Sequence, residues 1–340
     1  MTDSVLVIGL GSMGKRRIRN LQAIGVKNIV GIDPRNDRRA EAEEKYGVTT
    51  FSNINDAIEK KQFDAFVISV PPDIHHIYMR KALELNVPAF VEASVVDTDM
   101  ESIKNEAADK KILIAPSCTL FFHPAIKKIS EIVNSGELGK ISNFLYQTGQ
   151  YLPDWHTYED VSEFYVSNKA TGGAREIVPF ELTWITMLWG MPERIMGLNK
   201  KTIDIKGAEQ IDDTYSLLLD YKDKIVNLTI DVVSRYATRK LVINGDKKQL
   251  SWHWDDNEVK IFDPENNAWK SVKYELTPAE QGYNKNITEQ MYIDELSLFL
   301  NAAKGTGRFP NTLEKDHDVL KLLYAAEKAN ETNTIITIKK

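Results

Sequence analysis

Gly9, Gly11 and Gly14 stand in G-x-G-x-x-G spacing within "VLVIGLGSMGKRRIRNLQ", directly after an apolar strand pattern and at the start of a helical one. That arrangement suits the diphosphate of a dinucleotide. Gly9 permits the tight turn, Gly11 lets the backbone approach a pyrophosphate, and Gly14 allows close packing of helix on strand. Ser12 and Met13 complete the loop, and the helix beginning there offers unpaired N–H groups and a positive dipole end to an anion. The next strand pattern, "NIVGID", ends at Asp33, 19 residues after Gly14, where an acid accepts hydrogen bonds from an adenine-ribose hydroxyl. The expected cofactor is NAD, because this charge repels a 2'-phosphate. Arg35, Arg38 and Arg39 in "DPRNDRR" keep NADP open, since arginine is the usual phosphate partner, although they also suit a solvated helix start.

A second set of reactive side chains lies in the middle of the chain. In "GQYLPDWHTYEDVSEFYVSNKATGGARE", His156 is the group whose ordinary titration range, around pH 6.5, suits a base. Trp155 beside it offers a stacking surface. Arg175 and Glu176 either bind substrate or pair with each other. Glu181, inside the apolar "IVPFELTWI", is either paired or raised in pKa, and in the second case serves as an acid or base. His156, Glu176 and Glu181 are therefore the catalytic candidates. Trp155, Arg175, Arg235 in "SRYATRK" and Tyr283 in "GYNKN" are the substrate-binding candidates, with donors and stacking surfaces that also occur in ordinary loops. His123 reads as structural, "WHW" as a strand with Trp252 and Trp254 on one face, and no cluster has metal-ligand spacing.

These residues need elements to place them. Up to residue 122, short β-branched runs such as "SVLVIGL", "DAFVISV" and "PAFVEA" alternate with helical patterns, which predicts a doubly wound parallel sheet covered on both faces. "PAIKKISEIVNSGELGK" then predicts an amphipathic helix with Ile126, Ile129, Ile132 and Val133 on one face. Longer alternating strands follow, interrupted by one helical region, "REIVPFELTWITMLWG", and closed by a helix near "DVLKLLYAAEKAN". The expected fold is α/β: a Rossmann domain over 1–122, then an α/β domain over 123–340 with a large open, mainly antiparallel sheet.

Composition narrows the partners. A formal net charge of −6 argues against a nucleic-acid surface and for a small-molecule partner. Cys118 is the single cysteine, so no intrachain disulfide forms. Without a signal-peptide pattern at the N-terminus or an apolar run of roughly 20 residues, the expectation is a cytoplasmic protein with no membrane span.

The ordered series of the glycine fingerprint, Asp33, "SVPPDIHH" (Pro71, His75), "FVEAS" and "FFHPAIKKISEIVNSGELGKI" resembles the glucose-fructose oxidoreductase, inositol dehydrogenase and rhizopine-catabolism (Gfo/Idh/MocA) family over nearly the whole chain. The resemblance implies a nicotinamide cofactor, a sugar, nucleotide sugar or cyclitol substrate, and a homo-oligomer, dimer or tetramer, formed through the open sheet. It also places Pro71, His75 and Glu92 beside the cofactor. Two positions depart from the pattern. Ala93 and Ser94 stand where the family has Lys-Pro, so the usual donor to the reacting hydroxyl is missing. In "TGGAREIVPFELTWITMLWG" the family's helix-borne His is absent in either register, and Pro179 is expected to disrupt a regular helix. The implied function is NAD(P)-dependent hydride transfer to or from a secondary alcohol. The alternatives are an NAD-retaining, redox-assisted lyase or glycosidase-like enzyme and a non-catalytic dinucleotide sensor.

Overall fold

The computed structural model describes residues 4–156, 159–277 and 287–338. The chain forms two compact units. One comprises Met1–Thr119 with Glu289–His317, the other Leu120–Thr288 with Asp318–Lys340.

The first unit opens with β1 (Ser4–Ile8), α1 (Ser12–Ile24), β2 (Asn28–Ile32), α2 (Asn36–Tyr46), β3 (Thr49–Phe51), α3 (Ile54–Lys60), β4 (Ala65–Ile68), α4 (His75–Glu84), β5 (Ala89–Val91), α5 (Met100–Lys110) and β6 (Ile114–Pro116). All six strands are parallel, in the order β3-β2-β1-β4-β5-β6. Val5 to Ile8 and Ala65 to Ile68 are wholly buried, which is why these segments read as unbroken apolar runs rather than alternating ones. Strand order reverses between β1 and β4, and the glycine loop leaves β1 at that point. In open α/β sheets, ligands bind outside the carboxyl ends of the strands at such a reversal. The doubly wound sheet is as expected, with β3 added: its three residues are exposed or half-buried and carry no apolar run, unlike the equally short β5.

The second unit contains α6 (Pro124–Asn134), β7 (Ile141–Gly149), α7 (Ala174–Trp189), β8 (Arg194–Lys200), β9 (Thr214–Asp220), β10 (Ile225–Asp231), β11 (Thr238–Gly245), β12 (Gln249–His253), β13 (Glu258–Asp263) and β14 (Ala268–Lys273). After α8 (Glu289–Ala303), which belongs to the first unit, come α9 (Leu313–Thr332) and β15 (Ile336–Thr337). The nine-stranded sheet has the order β14-β13-β12-β11-β7-β10-β9-β8-β15 and is antiparallel except where β10 runs parallel to β7. One face buries Phe144, Tyr146, Leu217, Leu228 and Ile243. The other leaves Leu145, Met196, Leu198, Leu218 and Ile225 exposed. Ile126, Ile129 and Ile132 are the buried stripe of α6, and Trp252 and Trp254 are both buried.

Pro179 corrects one expectation: α7 runs unbroken through it. The ring removes one backbone donor, but Val178, Leu182, Trp184 and Ile185 are buried around it, with Trp184 at 5.8 Å from Phe144 and 5.5 Å from Tyr146 between ring centroids. Tertiary burial of the apolar face outweighs the missing bond.

Candidate functional site

The glycine loop has the tight geometry that its spacing predicts. Gly9 has φ +91°, and a Cβ on it would lie 2.4 Å from the Ser69 carbonyl oxygen; one on Gly14 would lie 1.8 Å from the Gly9 oxygen. Gly11 is different, because a Cβ there would meet only the Arg38 guanidinium, at 3.6 Å. The loop backbone is thus open to a diphosphate at Gly11 and closed against its own fold at the other two. Helix α1 begins at Ser12 without a side-chain cap or an acidic residue in its first turn, so its dipole is not offset locally. Met13 touches Arg16 Nη1 through sulfur at 3.8 Å.

Asp33 follows β2 and is buried. Its Oδ2 accepts from the Leu10 N–H at 2.8 Å and its Oδ1 from the Arg35 N–H at 2.9 Å, which fixes the carboxylate and leaves lone pairs on both oxygens for a ribose diol. Arg35 supplies only its backbone here. Its guanidinium is turned to Asp37, with Nη2 at 2.7 Å, whereas Arg38 Nη1 lies 3.8 Å from Asp33 Oδ2. Of the arginines flanking the ribose position, Arg38 is therefore the one aimed at it. These features fit a dinucleotide.

Pro71 precedes a turn at 72–74, and His75 Nε2 donates to the Val70 carbonyl at 2.9 Å. Burial pushes the His75 imidazole down to about 4, so it is neutral and braces the turn after β4. Glu92 sits one residue past β5. Its Oε1 accepts from Arg17 Nε at 2.7 Å and Ser69 Oγ at 3.1 Å, and its Oε2 from Arg17 Nη2 at 2.9 Å. Arg17 is fully buried in α1, lies over the Phe90 ring at 4.5 Å, and approaches Glu295 of α8 at 3.0 Å through Nη1. Glu295 in turn accepts from Ser117 Oγ, the Cys118 N–H and Thr119 Oγ1. Burial alone would lower the Arg17 pKa, but the two carboxylates outweigh it and hold the guanidinium charged. Sequence reading found Glu92 and missed Arg17 and Glu295. The available signals were the consecutive basic residues of "GKRR" entering a packed helix and the acidic pair in "IDELSLFL".

In the second unit Glu181 is the paired alternative. It accepts from Tyr146 Oη and Trp184 Nε1, each at 2.8 Å, and from Arg239 Nη2 at 2.6 Å. Arg175 and Glu176 do not pair with each other. Arg175 binds Glu327 through Nε at 2.6 Å and Nη2 at 3.2 Å, and donates to the Ala170 carbonyl. Glu176 Oε1 accepts from the Tyr165 hydroxyl, while its buried Oε2 has no hydrogen-bond partner among the described residues. Burial pushes this carboxyl up to about 7, against the opposing hydrogen bond from Tyr165.

His156 stacks on Phe164 with centroids 4.8 Å apart, and its Nδ1 is 3.9 Å from Glu159 Oε2. Phe164 meets Tyr165 edge-on at 6.2 Å. The segment between β7 and α7 therefore gathers His156, Phe164, Tyr165 and Glu176 into one array. Trp155 Nε1 is buried without a partner among the described residues. Arg235 is exposed and lies over the Tyr151 ring at 3.6 Å. Tyr283 falls outside the described residues.

Residues 4–113 match the model of an oxidoreductase family with an NAD-binding Rossmann fold, and residues 126–251 match the GFO/IDH/MocA C-terminal domain. The first match defines the class, an NAD-binding Rossmann protein of the oxidoreductase type. With both halves matched, the chain belongs to the Gfo/Idh/MocA family. A similar curated protein is inositol 2-dehydrogenase from Corynebacterium glutamicum, 29% identical over 141 residues, a stretch covering 40% of this chain and 42% of the relative. Among solved structures, an oxidoreductase from Agrobacterium radiobacter, in complex with NAD+, L-tartaric acid and magnesium, superposes with a TM-score of 0.85 at 12% identity, covering 99% of this chain and 98% of the other. A levoglucosan dehydrogenase in complex with NADH and levoglucosan gives 0.83 at 15% identity, with 99% of each chain covered. At such identities these likenesses establish the fold. No helix among the described residues is long and apolar enough to cross a membrane.

Proposed function

We propose that the chain is an NAD-dependent dehydrogenase that moves a hydride between a secondary alcohol of a cyclitol, sugar or nucleotide sugar and a nicotinamide cofactor. The observation that carries this reading is the Gly9–Gly11–Gly14 cradle with the immobilised Asp33 carboxylate, inside the segment that matches the NAD-binding family model. When bound, the nicotinamide supplies a hydride acceptor or donor. The chain's part is to hold it, with the α1 amino end at the diphosphate and Asp33 at the ribose diol. Asp33 favours NAD over NADP, because an additional phosphate there would meet a carboxylate, and Arg38 beside it keeps NADP binding measurable. Supporting the polyol class are the named activities of inositol 2-dehydrogenase and levoglucosan dehydrogenase, which are similar to this chain.

Calorimetric titration with NAD and NADP, and NADH formation with myo-inositol, levoglucosan and a panel of sugars, test the reading. Tighter NAD binding with turnover on any of these polyols is expected. Equal affinities, or an NADP preference abolished by Arg38→Ala, would sink the cofactor assignment. Ala93 in the family's lysine position favours a second reading, a dinucleotide-dependent sensor. NAD binding with no NADH formed across the panel would support that one, and a cofactor that stays bound through purification without net NADH would support a redox-assisted lyase.

A further inference from the structure

We propose that Tyr165 and Glu176 form the proton-handling site of this chain, Tyr165 holding one carboxyl oxygen of Glu176 while the other exchanges a proton with the substrate hydroxyl. The inference rests on the dehydrogenase reading and supplies the acid-base group that Ala93 and the missing helix His leave open.

The other catalytic candidates and the carboxylates around Arg17 are occupied, while Asp316, whose buried Oδ2 also lacks a partner among the described residues, belongs to the first unit at the start of α9. Glu181 takes three donors, Arg175 is clasped by Glu327, Glu92 and Glu295 share Arg17, and the buried His75 is neutral. His156 lies flat on Phe164 near Glu159, in the same array. Glu176 is the member with a buried oxygen, Oε2, that nothing among the described residues satisfies. A buried polar atom without a partner costs free energy, so its retention points to a visiting partner. The carboxyl is also poised to carry a proton either way. Burial favours the neutral acid and the Tyr165 hydroxyl favours the anion, so it titrates at about 7, where general acid-base catalysis is most efficient. Burial and Tyr165 act on it in opposite directions, and the adjoining Arg175 is bound by Glu327 and lies over Tyr324.

The exchange balances simply. In oxidation, the alcohol O–H bond breaks and its proton forms a new O–H on Glu176 Oε2. The nicotinamide, when bound, would take the hydrogen of the alcohol C–H bond with both of its electrons as hydride, and the carbon–oxygen bond would become double. In reduction the protonated Glu176 returns the proton to the alkoxide oxygen. Tyr165 stays protonated throughout and sets how readily Glu176 gives up its proton.

Two readouts on the full chain separate this proposal from the function it rests on. Infrared titration of the cofactor-free protein should show two carboxyls with midpoints near neutrality, one lost in Glu176→Gln and the other, Asp316, lost in Asp316→Asn. Tyr165→Phe should move the Glu176 midpoint upward, because the lost hydrogen bond stabilised the ionised form. With NAD and whichever polyol the wild-type chain oxidises, Glu176→Gln should lower kcat by about 100- to 10,000-fold while NAD affinity is unchanged. Tyr165→Phe should shift the acidic limb of the kcat profile upward along with the infrared midpoint. A near-neutral carboxyl signal that Glu176→Gln leaves undiminished, or a Glu176 midpoint that does not move in Tyr165→Phe, overturns the pair. So does a Glu176→Gln enzyme with full kcat, or one whose near-neutral limb survives but disappears in His156→Ala. Failure to bind NAD at all would instead defeat the dehydrogenase reading, whatever the carboxyl does.

Discussion

Arg17 is a single guanidinium between a part-buried carboxylate and a fully buried one, reaching Glu92 by two hydrogen bonds and Glu295 by a third contact. Removing it leaves two acids of like charge in a low-dielectric interior, and breaking buried pairs of this kind typically costs about 3–5 kcal/mol. Arg17→Ala should lower stability in urea unfolding by that order. Glu295→Gln should cost less, because the amide keeps the shape and some of the hydrogen bonds. An Arg17→Ala protein as stable as wild type would show that water replaces the guanidinium without loss. This cluster also marks the limit of reading residues from sequence. The glycine fingerprint and Asp33 were legible because they answer to local backbone demands: a turn, a close approach, a strand end. Glu92 stood out as a carboxylate ending an apolar run, but its partner lies 75 residues away and Glu295 bonds to Ser117 across 178. No local pattern connects them. For the same reason Glu181 and Arg175 looked available for chemistry, until Tyr146, Arg239 and Glu327 were seen to hold them.

Among elements, an apolar period made many legible, although α8 and β13, which also carry one, were not foreseen. The α6 stripe and the strands β7, β9, β10, β11 and β12 follow alternation or helical spacing closely. β14 does not: "AWKSVK" is exposed along almost its whole length, because it is an edge strand paired only with β13. Pro179 misled through propensity, where burial decided. Helix α9 carries a charge effect that can be measured. Asp316, in its first turn, is buried, and burial raises its carboxyl from the ordinary 3.8 to about 7, with Ser94 opposing. Between those two values the folded chain holds a proton that the unfolded chain has released. The contribution to stability is therefore complete below about pH 4 and is lost as pH rises through about 7, amounting to roughly 4 kcal/mol at most. The unfolding temperature should fall between about pH 4 and 7. Asp316→Asn should flatten that slope, leaving the smaller part, of the same sign, that Glu176 contributes. A slope unchanged by Asp316→Asn would mean that its carboxyl is ionised in the folded protein.

For the whole molecule, the outer face of the nine-stranded sheet sets the expectation. Strand register lines up Met196, Leu218, Asn227 and Leu145 across β8, β9, β10 and β7, with Leu198 and Ile225 in neighbouring rows. Apolar side chains gathered this way on a monomer's surface mark an association site. We therefore propose a homo-oligomer built on this face, and light scattering at micromolar concentration should give the mass of a dimer or tetramer. Leu218→Glu combined with Leu145→Glu should reduce it to that of one chain with the fold intact by circular dichroism. A wild-type mass of one chain would refute the proposal.

The first unit is assembled from two separated stretches, 1–119 and 289–317, and α8 brings Glu295 and Tyr292 to Arg17. During synthesis, α1 and β5 therefore emerge long before the residues that complete their interior. Until residue 295 is available, Arg17 has only Glu92, and the N–H of Cys118 lacks the acceptor that it later finds in Glu295. The nucleotide-binding unit is the first begun, yet its residues 289–317 are made only after residues 120–288 of the second unit. Its native ion cluster thus reports that translation has passed α8, and a chain truncated within the second sheet would carry a complete glycine fingerprint on an incomplete core.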